Sequence, residues 1–322
     1  MSTRLHILTA LGDGRFHSGE ALAHALGISR TAVWKHLQAL GEWGLDIHAV
    51  PGKGYRLASP LELLRREAVL DALDHDSRPL LADLEIHPQL GSTNTHLSAR
   101  LAALTSGHAC LAEYQTAGRG RRGRSWISPF GANVYLSLLW RFSLSPASLG
   151  GLGLAVGVAV ARALHEAGLR DTGLKWPNDI LWRGRKLAGT LLEMSGEASG
   201  PLAVVIGIGL NVRMPAPAGA TIDQAWVDLE TALGGGASRN AMAGLLLHHL
   251  LLALRQYQTA GLAPFLDEWR TRDLITGRTV HLQLPNRTLT GVAQGVDHTG
   301  ALLLQDSGTV TSHTAGEVSV RL

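Results

Sequence analysis

From Leu5 to about Pro60 the apolar positions recur at helical spacing and then at strand spacing, which predicts three helices followed by a hairpin. Ser18 is placed to cap a helix over Gly19–Leu26 that Gly27 ends. Ser29 is placed to cap a second helix, in which Val33, Leu37 and Leu40 share one face and Gly41 stops the run. The short connection Gly27-Ile28-Ser29 suits a helix-turn-helix. Residues 45–50, the turn Pro51-Gly52-Lys53-Gly54 and Tyr55-Arg56-Leu57 predict a strand, a Gly-rich turn and a strand, the form of a wing.

Between residue 61 and about 270 the two periods mix. Strands are predicted at 84–87, 134–141 and 204–212, and a hairpin at 180–182 and 186–193 around Arg183-Gly184-Arg185. Helices are predicted after Ser92, which is placed to cap the first of them with Leu97, Leu101 and Leu104 on one face, over 151–168, and over 240–260. The Pro-, Ala- and Gly-rich stretch 214–221 reads as an irregular loop. From Ile275 onward, short β runs are punctuated by Gly277, Gly291, Gly295, Gly300, Gly308 and Gly316, which suggests a small β-barrel or sandwich. The sum is an α+β protein in three units: an N-terminal winged helix-turn-helix over 1–62, a central mixed α/β domain over 63–272 and a C-terminal β unit over 273–322. No internal repeat is found.

The length of 322 residues suits two or three domains. The longest apolar stretches, near 152–164 and 245–254, are broken by Gly, Arg or His, so no membrane span is expected. Asp13 and Arg15 interrupt the N-terminus before a signal-peptide core develops, and a cytoplasmic location is expected. A single cysteine, Cys110, excludes internal disulfides and multi-cysteine metal sites and reads as a small buried hydrophobe. The 15 His show neither HExxH nor paired spacing, so no metal-ligating residues are assigned, and no GxSxG elbow is present. With 29 Lys plus Arg against 26 Asp plus Glu, bulk charge alone does not make a nucleic-acid binder; placement decides.

On the second predicted helix, Thr31, Trp34, Lys35 and Gln38 share a face away from the apolar one, with Arg30 in its first turn. Those types reach base edges and phosphates, and Lys53 and Arg56 on the wing are placed to meet phosphate. A balance of six basic to four acidic residues over 1–60 implies weak non-specific affinity, so useful binding needs two copies on two half-sites. Further along, Gly118-Arg119-Gly120-Arg121-Arg122-Gly123-Arg124-Ser125-Trp126 alternates Gly with Arg. Such a loop is expected to stay mobile until an anion organises it, the glycines admitting close backbone approach and the guanidiniums supplying paired donors. An RG-rich RNA-binding or solvated loop is the alternative.

Lys175-Trp176-Pro177-Asn178-Asp179 puts a cation, an indole and an amide-acid pair on a Pro-fixed turn, where Lys175 would meet phosphate and Asp179 would assist Mg²⁺. A salt-bridged surface turn is the rival. Lys186 begins a run whose Ala188 and Gly189 leave space beside the strand, suited to holding a carboxylate or bridging oxygen. Gly207 and Gly209 leave room for a flat ring against a strand, or for a close helix. Ser92-Thr93-Asn94 opens a helix and converges N–H, hydroxyl and amide groups, while Gln115 is placed to read a polar head group.

In this order, Gly-Ser-Thr-Asn, the run Glu113 to Trp126, Lys175 to Asp179, Arg185 to Gly189 and Gly207 to Val212 resemble the bacterial biotin–protein ligases. With the N-terminal helix-turn-helix and the wing Val50 to Tyr55, the resemblance extends to the bifunctional ligase and biotin operon repressor form and covers essentially the whole chain. It implies a central ligase domain, a C-terminal SH3-like β-barrel and a two-step enzyme: biotin and ATP, with Mg²⁺, give biotinyl-5′-AMP, and biotin passes to one lysine of a biotin carboxyl carrier protein. By position, Ser92, Thr93, Asn94 and Gln115 would hold the biotin head group, and Arg119, Gly120 and Arg121 would close over carboxylate and adenylate. Lys186, Arg121 and Asp179 would serve the reaction, while Trp126, Lys175, Gly207 and Asn211 would complete the ligand site. The resemblance also implies a homodimer, formed with the adenylate bound, that places Arg30, Thr31, Trp34, Lys35, Gln38 and Lys53 on operator DNA. Gly91 stands where an acidic residue is common and Ser125 where a basic one is frequent. A regulator without ligase activity and a lipoate-type acyl ligase remain as alternative readings.

Overall fold

The computed structural model describes residues 3–143, 145–196 and 201–320. Helix α1 (Thr3–Leu11) packs on α2 (Gly19–Leu26) and α3 (Arg30–Leu40). Both predicted caps form: Ser18 Oγ accepts from Ala21 N at 3.0 Å and Ser29 Oγ from Ala32 N at 3.1 Å. The α-helix ends at Leu40 with Gly41 as its C-cap, as expected, but Gly41 keeps a right-handed φ of −58° and starts a 3₁₀ turn, which the left-handed Gly44 ends at φ 73°. Ile7, Leu8, Leu11, Val33, Leu37 and Leu40 form the core of this unit. The wing pairs β1 (Ile47–Val50) with β2 (Gly54–Leu57). Its first strand starts two residues later than expected because Leu45 turns in against the core. Gly54 sits at φ 98°, and a Cβ there would overlap His17 O, so only glycine fits.

After α4 (Arg66–Leu70) the central domain builds a seven-stranded sheet. Its strands are β3 (Asp83–His87), β4 (His108–Ala112), β5 (Val134–Phe142), β6 (Thr172–Lys175), β7 (Asp179–Trp182), β8 (Arg185–Ser195) and β9 (Leu202–Leu210), ordered β3-β4-β5-β9-β8-β7-β6. Only β3 and β4 pair in parallel. Helix α5 (Thr93–Ser98) covers one face; α6 (Leu152–Glu166) covers the other. Then come α7 (Ala216–Gly219), α8 (Leu229–Leu233), α9 (Arg239–Ala260), which packs against α6, and α10 (Ala263–Arg272). Alternation in β5 sorts the faces: Leu136, Leu138 and Trp140 join the main core, while Ser137 and Leu139 face α5.

Two expectations change here. The helix after Ser92 lasts six residues and Ser92 makes no side-chain cap; beyond it Arg141 Nη2 takes the carbonyls of Leu101 and Leu104 and holds the segment in turns. The loop at 214–221 contains one helical turn, α7, with Pro217 in its first turn.

The last unit is antiparallel, with β10 (Thr279–Gln283), β11 (Thr288–Val296), β12 (Leu302–Asp306), β13 (Thr309–His313) and β14 (Glu317–Val320) ordered β13-β12-β11-β10-β14. This is the five-stranded sheet expected of a small barrel; residues 321–322 of that unit lie outside the described residues. Its Val280, Leu282 and Val318 join the central core. The N-terminal unit is also anchored: Trp43 stacks on Phe130 at 4.5 Å and donates to Gln89 Oε1 at 3.0 Å. Among the described residues no helix is long and apolar enough to cross a membrane.

Candidate functional site

One cleft gathers nearly every residue singled out for ligand chemistry, at the end of β5, β8 and β9 where α5, the Arg-rich loop and the edge of the C-terminal sheet meet. Its floor is a buried polar cluster. Gln115 Oε1 accepts from Thr93 N at 2.9 Å and from Thr93 Oγ1 at 3.2 Å, and its Nε2 donates to Ser128 Oγ at 3.1 Å. Gln115 thereby supplies the acceptor at the start of α5 that Ser92 was expected to provide. Ser137, on β5, reaches both Thr93 Oγ1 and Asn94 Oδ1, while Asn94 Nδ2 donates to Glu193 Oε2 at 2.9 Å. Ser92, Thr93, Asn94 and Gln115 are all buried.

The wall is an indole on glycine. A Cβ at Gly209 would overlap the Trp126 ring, and one at Gly207 would overlap the Asn94 amide. The space left by the strand glycines is thus filled by this chain's own side chains, which build the ligand surface instead of leaving bare backbone. Trp126 Nε1 and Thr190 Oγ1 are buried without a hydrogen-bond partner among the described residues. Leaving such a group unpaired costs about 1–3 kcal/mol, so both are donors suited to a ligand.

In the structure the Arg-rich loop folds on carboxylates and carbonyls of the chain itself. It closes as a small hairpin, Gly120 N donating to Arg124 O at 2.7 Å and Trp126 N to Gly118 O at 2.9 Å. Arg119 pairs with Glu193 at 2.8 Å. Arg121 donates to Asn178 Oδ1 at 3.2 Å and to Gly316 O at 3.1 Å, Arg122 to Gln283 O at 2.8 Å, and Arg124 pairs with Glu317. Arg122 adopts φ 53°, an uncommon left-handed turn for a side-chain-bearing residue. Burial and the neighbouring Arg122 hold Arg121 below the usual guanidinium pKa.

Across the cleft, Asp179 lies between two ammoniums, with Lys186 Nζ at 2.8 Å and Lys175 Nζ at 3.3 Å. Burial pushes its carboxyl pKa up, but Lys186 and Lys175 outweigh burial and the net shift is downward. The Lys186 stem runs beside Gly189, where a Cβ would lie 3.2 Å from Lys186 Cε, so the small residue does make room for it. In the structure both Asp179 oxygens face ammoniums and Glu317 is paired with Arg124, so the protein's own carboxylates do not by themselves build a cation site here. What lines the cleft is a cation excess: Arg119, Arg121, Arg122, Arg124, Lys175 and Lys186 against Asp179 and Glu317.

A second cavity adjoins the first through Trp126 and Lys186 and is walled by Ile127, Met214, Ile222 and Trp226. Asn211 lines this one, its amide donating to Val227 O at 3.2 Å, so it shapes the wall. Sequence reasoning missed Ser128, Ser137, Thr190, Glu193, Trp226 and Glu317, whose roles come from tertiary placement. At the far end of the chain's N-terminal unit, Arg30, Thr31, Trp34, Lys35 and Gln38 are all exposed on α3, Trp34 at 50%, and Lys53 is exposed on the wing. Arg56 is not on that face: its guanidinium lies 5.0 Å over the Phe16 ring.

Comparison with known proteins agrees with this layout. Residues 87–211 match the biotin/lipoate A/B protein ligase family, residues 3–56 an HTH domain, and residues 275–321 the biotin protein ligase C-terminal domain. The bifunctional ligase/repressor BirA of Escherichia coli is 42% identical over 98% of this chain and 97% of its own, and that of Bacillus subtilis 35% identical over 92% of each. The biotin protein ligase of Aquifex aeolicus, solved with biotin and ATP, superposes with a TM-score of 0.64 at 28% identity, covering 75% of this chain and 99% of that one. On the strength of these matches along its whole length, the chain belongs to the biotin protein ligase family, in the form that carries an N-terminal helix-turn-helix.

Proposed function

We propose that the cleft is the site of an ATP-dependent biotin–[biotin carboxyl-carrier protein] ligase, and that the same chain represses transcription through its helix-turn-helix. The single observation that carries the ligase reading is the order of groups along the cleft: a buried amide and hydroxyl cluster, then an indole wall, then a mouth with a cation excess. Biotin has the matching order of ureido head, apolar ring and chain, and carboxylate. Ser92, Thr93, Asn94 and Gln115 hold the head, Gly207 and Trp126 flank the middle, and Arg119, Gly120, Arg121, Lys175 and Lys186 receive the anionic end. The adjoining cavity with Trp226 and Asn211 takes the adenine.

In the first step a biotin carboxylate oxygen attacks the α-phosphorus of ATP, the bond to the bridging oxygen breaks and pyrophosphate leaves. Two anions must approach, and Lys186 and Arg121 offset their repulsion and meet the charge developing at phosphorus. Asp179 is a positioning residue that fixes where the Lys186 ammonium points. Magnesium enters as the counter-ion of the ATP phosphates, a part of the substrate. In the second step the neutral ε-amine of a carrier lysine attacks the anhydride carbonyl, AMP leaves with the electron pair and the amine proton passes to solvent. The folded Arg loop over the adenylate keeps water away meanwhile.

The repressor reading rests on the exposed face of α3 and the wing. Arg30, Thr31, Trp34, Lys35 and Gln38 enter the major groove of operator DNA and Lys53 meets phosphate. Adenylate-bound homodimers present two such helices, in a chain organised as 1–62, 63–272 and 273–322 and acting in the cytoplasm. The test is biotin-dependent ATP–pyrophosphate exchange with biotinylation of an apo carrier domain, run beside lipoate. Exchange and transfer with biotin support the reading; exchange with lipoate in its place, or none while ATP binds, overturns it.

A further inference from the structure

Outside the cleft, on the strands β3 and β4 beneath α5, one carboxylate, two imidazoles and the chain's single thiol converge. Glu85 and Cys110 are register partners across the parallel β3–β4 pair, so their side chains share a face, and His87 follows two residues on along that same face. His96 comes down from α5. His87 Nε2 and His96 Nε2 each lie 2.9 Å from Glu85 Oε2, and the two rings meet edge to face at 4.7 Å. One nitrogen of each imidazole and Cys110 Sγ lie within 4.8 Å of one another.

We propose that Glu85, His87, His96 and Cys110 form a binding site for a single transition-metal dication of the zinc class. Two imidazoles, a thiolate and a carboxylate are the N, S and O donors such an ion takes in tetrahedral geometry. A plain His–Glu ion-pair network accounts for the carboxylate but not for the thiol. Cys110 is fully buried, its one hydrogen-bond partner among the described residues is Leu111 O at 3.9 Å, and it stands where the apolar cluster of Leu97, Leu139 and Val205 gives way to the imidazoles. Arg100 occupies the position of the missing positive charge: its Nη1 lies 2.7 Å from Glu85 Oε1 and 2.7 Å from His96 Nε2. That side chain is 41% exposed and has room to swing into solvent when a dication takes over its charge. Binding forms a metal–sulfur bond and releases the Cys110 thiol proton to solvent; no electron moves. The ion ties α5, which carries Thr93 and Asn94, to β3 and β4.

The test uses the full-length chain without an affinity tag, stripped with chelator and titrated with Co²⁺. One equivalent is expected to give the intense visible bands of a tetrahedral site and a thiolate-to-cobalt charge-transfer band, both lost on adding Zn²⁺. Cys110→Ala should lose the charge-transfer band, and His87→Gln and His96→Gln should each weaken binding by more than about tenfold. With Mg²⁺ and ATP but no added transition metal, all three variants should biotinylate the carrier at the wild-type rate, which shows that they fold. His75→Ala, in the separate exposed Asp74-His75-Asp76 cluster, should leave the titration unchanged. No bands with the wild-type chain, bands that survive His87→Gln and His96→Gln together, or bands lost in His75→Ala would overturn the proposal.

Discussion

Asp179→Asn removes the carboxylate that lies between Lys175 and Lys186 while keeping its shape. At about 4 Å and an effective dielectric near 20, each pair is worth up to about 4 kcal/mol before desolvation is subtracted. The carboxyl stays below its ordinary 3.8 despite burial, so attraction outweighs desolvation in the folded state. Stranding a fully buried charge costs about 3–5 kcal/mol. Here the ammoniums keep 17% and 21% of their surface, which reduces the expected loss to about 2–3 kcal/mol. For a domain of this size that lowers the thermal midpoint by about 4–12 °C. Lys186 also loses the charged partner at 2.8 Å that aims it, keeping at most an amide oxygen, and pyrophosphate exchange should fall by about tenfold or more. The pH dependence has a definite sign. A depressed carboxyl contributes stability above its unfolded pKa and loses it as pH falls through the folded value, so the gap between wild type and variant should be constant near neutrality and close below 3.8. Scanning calorimetry across pH reads both features. Equal midpoints at neutral pH, or a gap that widens in acid, would refute the reasoning.

Other substitutions test other parts. Glu113→Gln should strand Arg239, which is buried and lies 2.8 Å from Glu113 Oε2, at a cost of about 3–5 kcal/mol in urea unfolding; a change under half of that would mean the pair is not the anchor it looks like. Gly209→Ala drives a Cβ into the Trp126 ring, an overpacking of about 1–3 kcal/mol that should weaken biotin binding in calorimetry about tenfold. Arg121→Gly cuts the bonds to Asn178 and Gly316 that hold the loop to the C-terminal sheet, so activated biotin should escape and label a bystander protein; equal labelling by wild type and variant contradicts the clamp. Arg30→Ala with Lys35→Ala should abolish the operator shift and leave carrier biotinylation intact.

Local rules carried the fold where a single residue decides an end. Ser18, Ser29 and Gly27 cap as their chemistry demands, and strand alternation placed β5, β8 and β9 to within a residue or two. Two departures share one cause, a long-range partner overriding a local preference. The chain after Ser98 forms turns because Arg141 reaches in from β5. Arg56 leaves the wing's phosphate face for the Phe16 ring.

The candidate site divides the same way. Residues that work through their own neighbours in sequence, the Ser92–Asn94 helix start, the Arg loop and the Lys175–Asp179 turn, were legible because the spacing itself implies the chemistry. Residues that work only by meeting something distant were not. Ser137 is one polar position in an apolar strand, and nothing around it announces that it spans Thr93 and Asn94. Glu317 lies nearly two hundred residues beyond the loop it restrains. These distant carboxylates bear directly on the loop's charge. Four arginines in isolation repel one another, but Glu193 and Glu317, brought from two different sheets, neutralise Arg119 and Arg124 and leave Arg121 aimed across the cleft at Asn178. An entering carboxylate or phosphate therefore competes with Glu193 and Glu317 for the same guanidiniums.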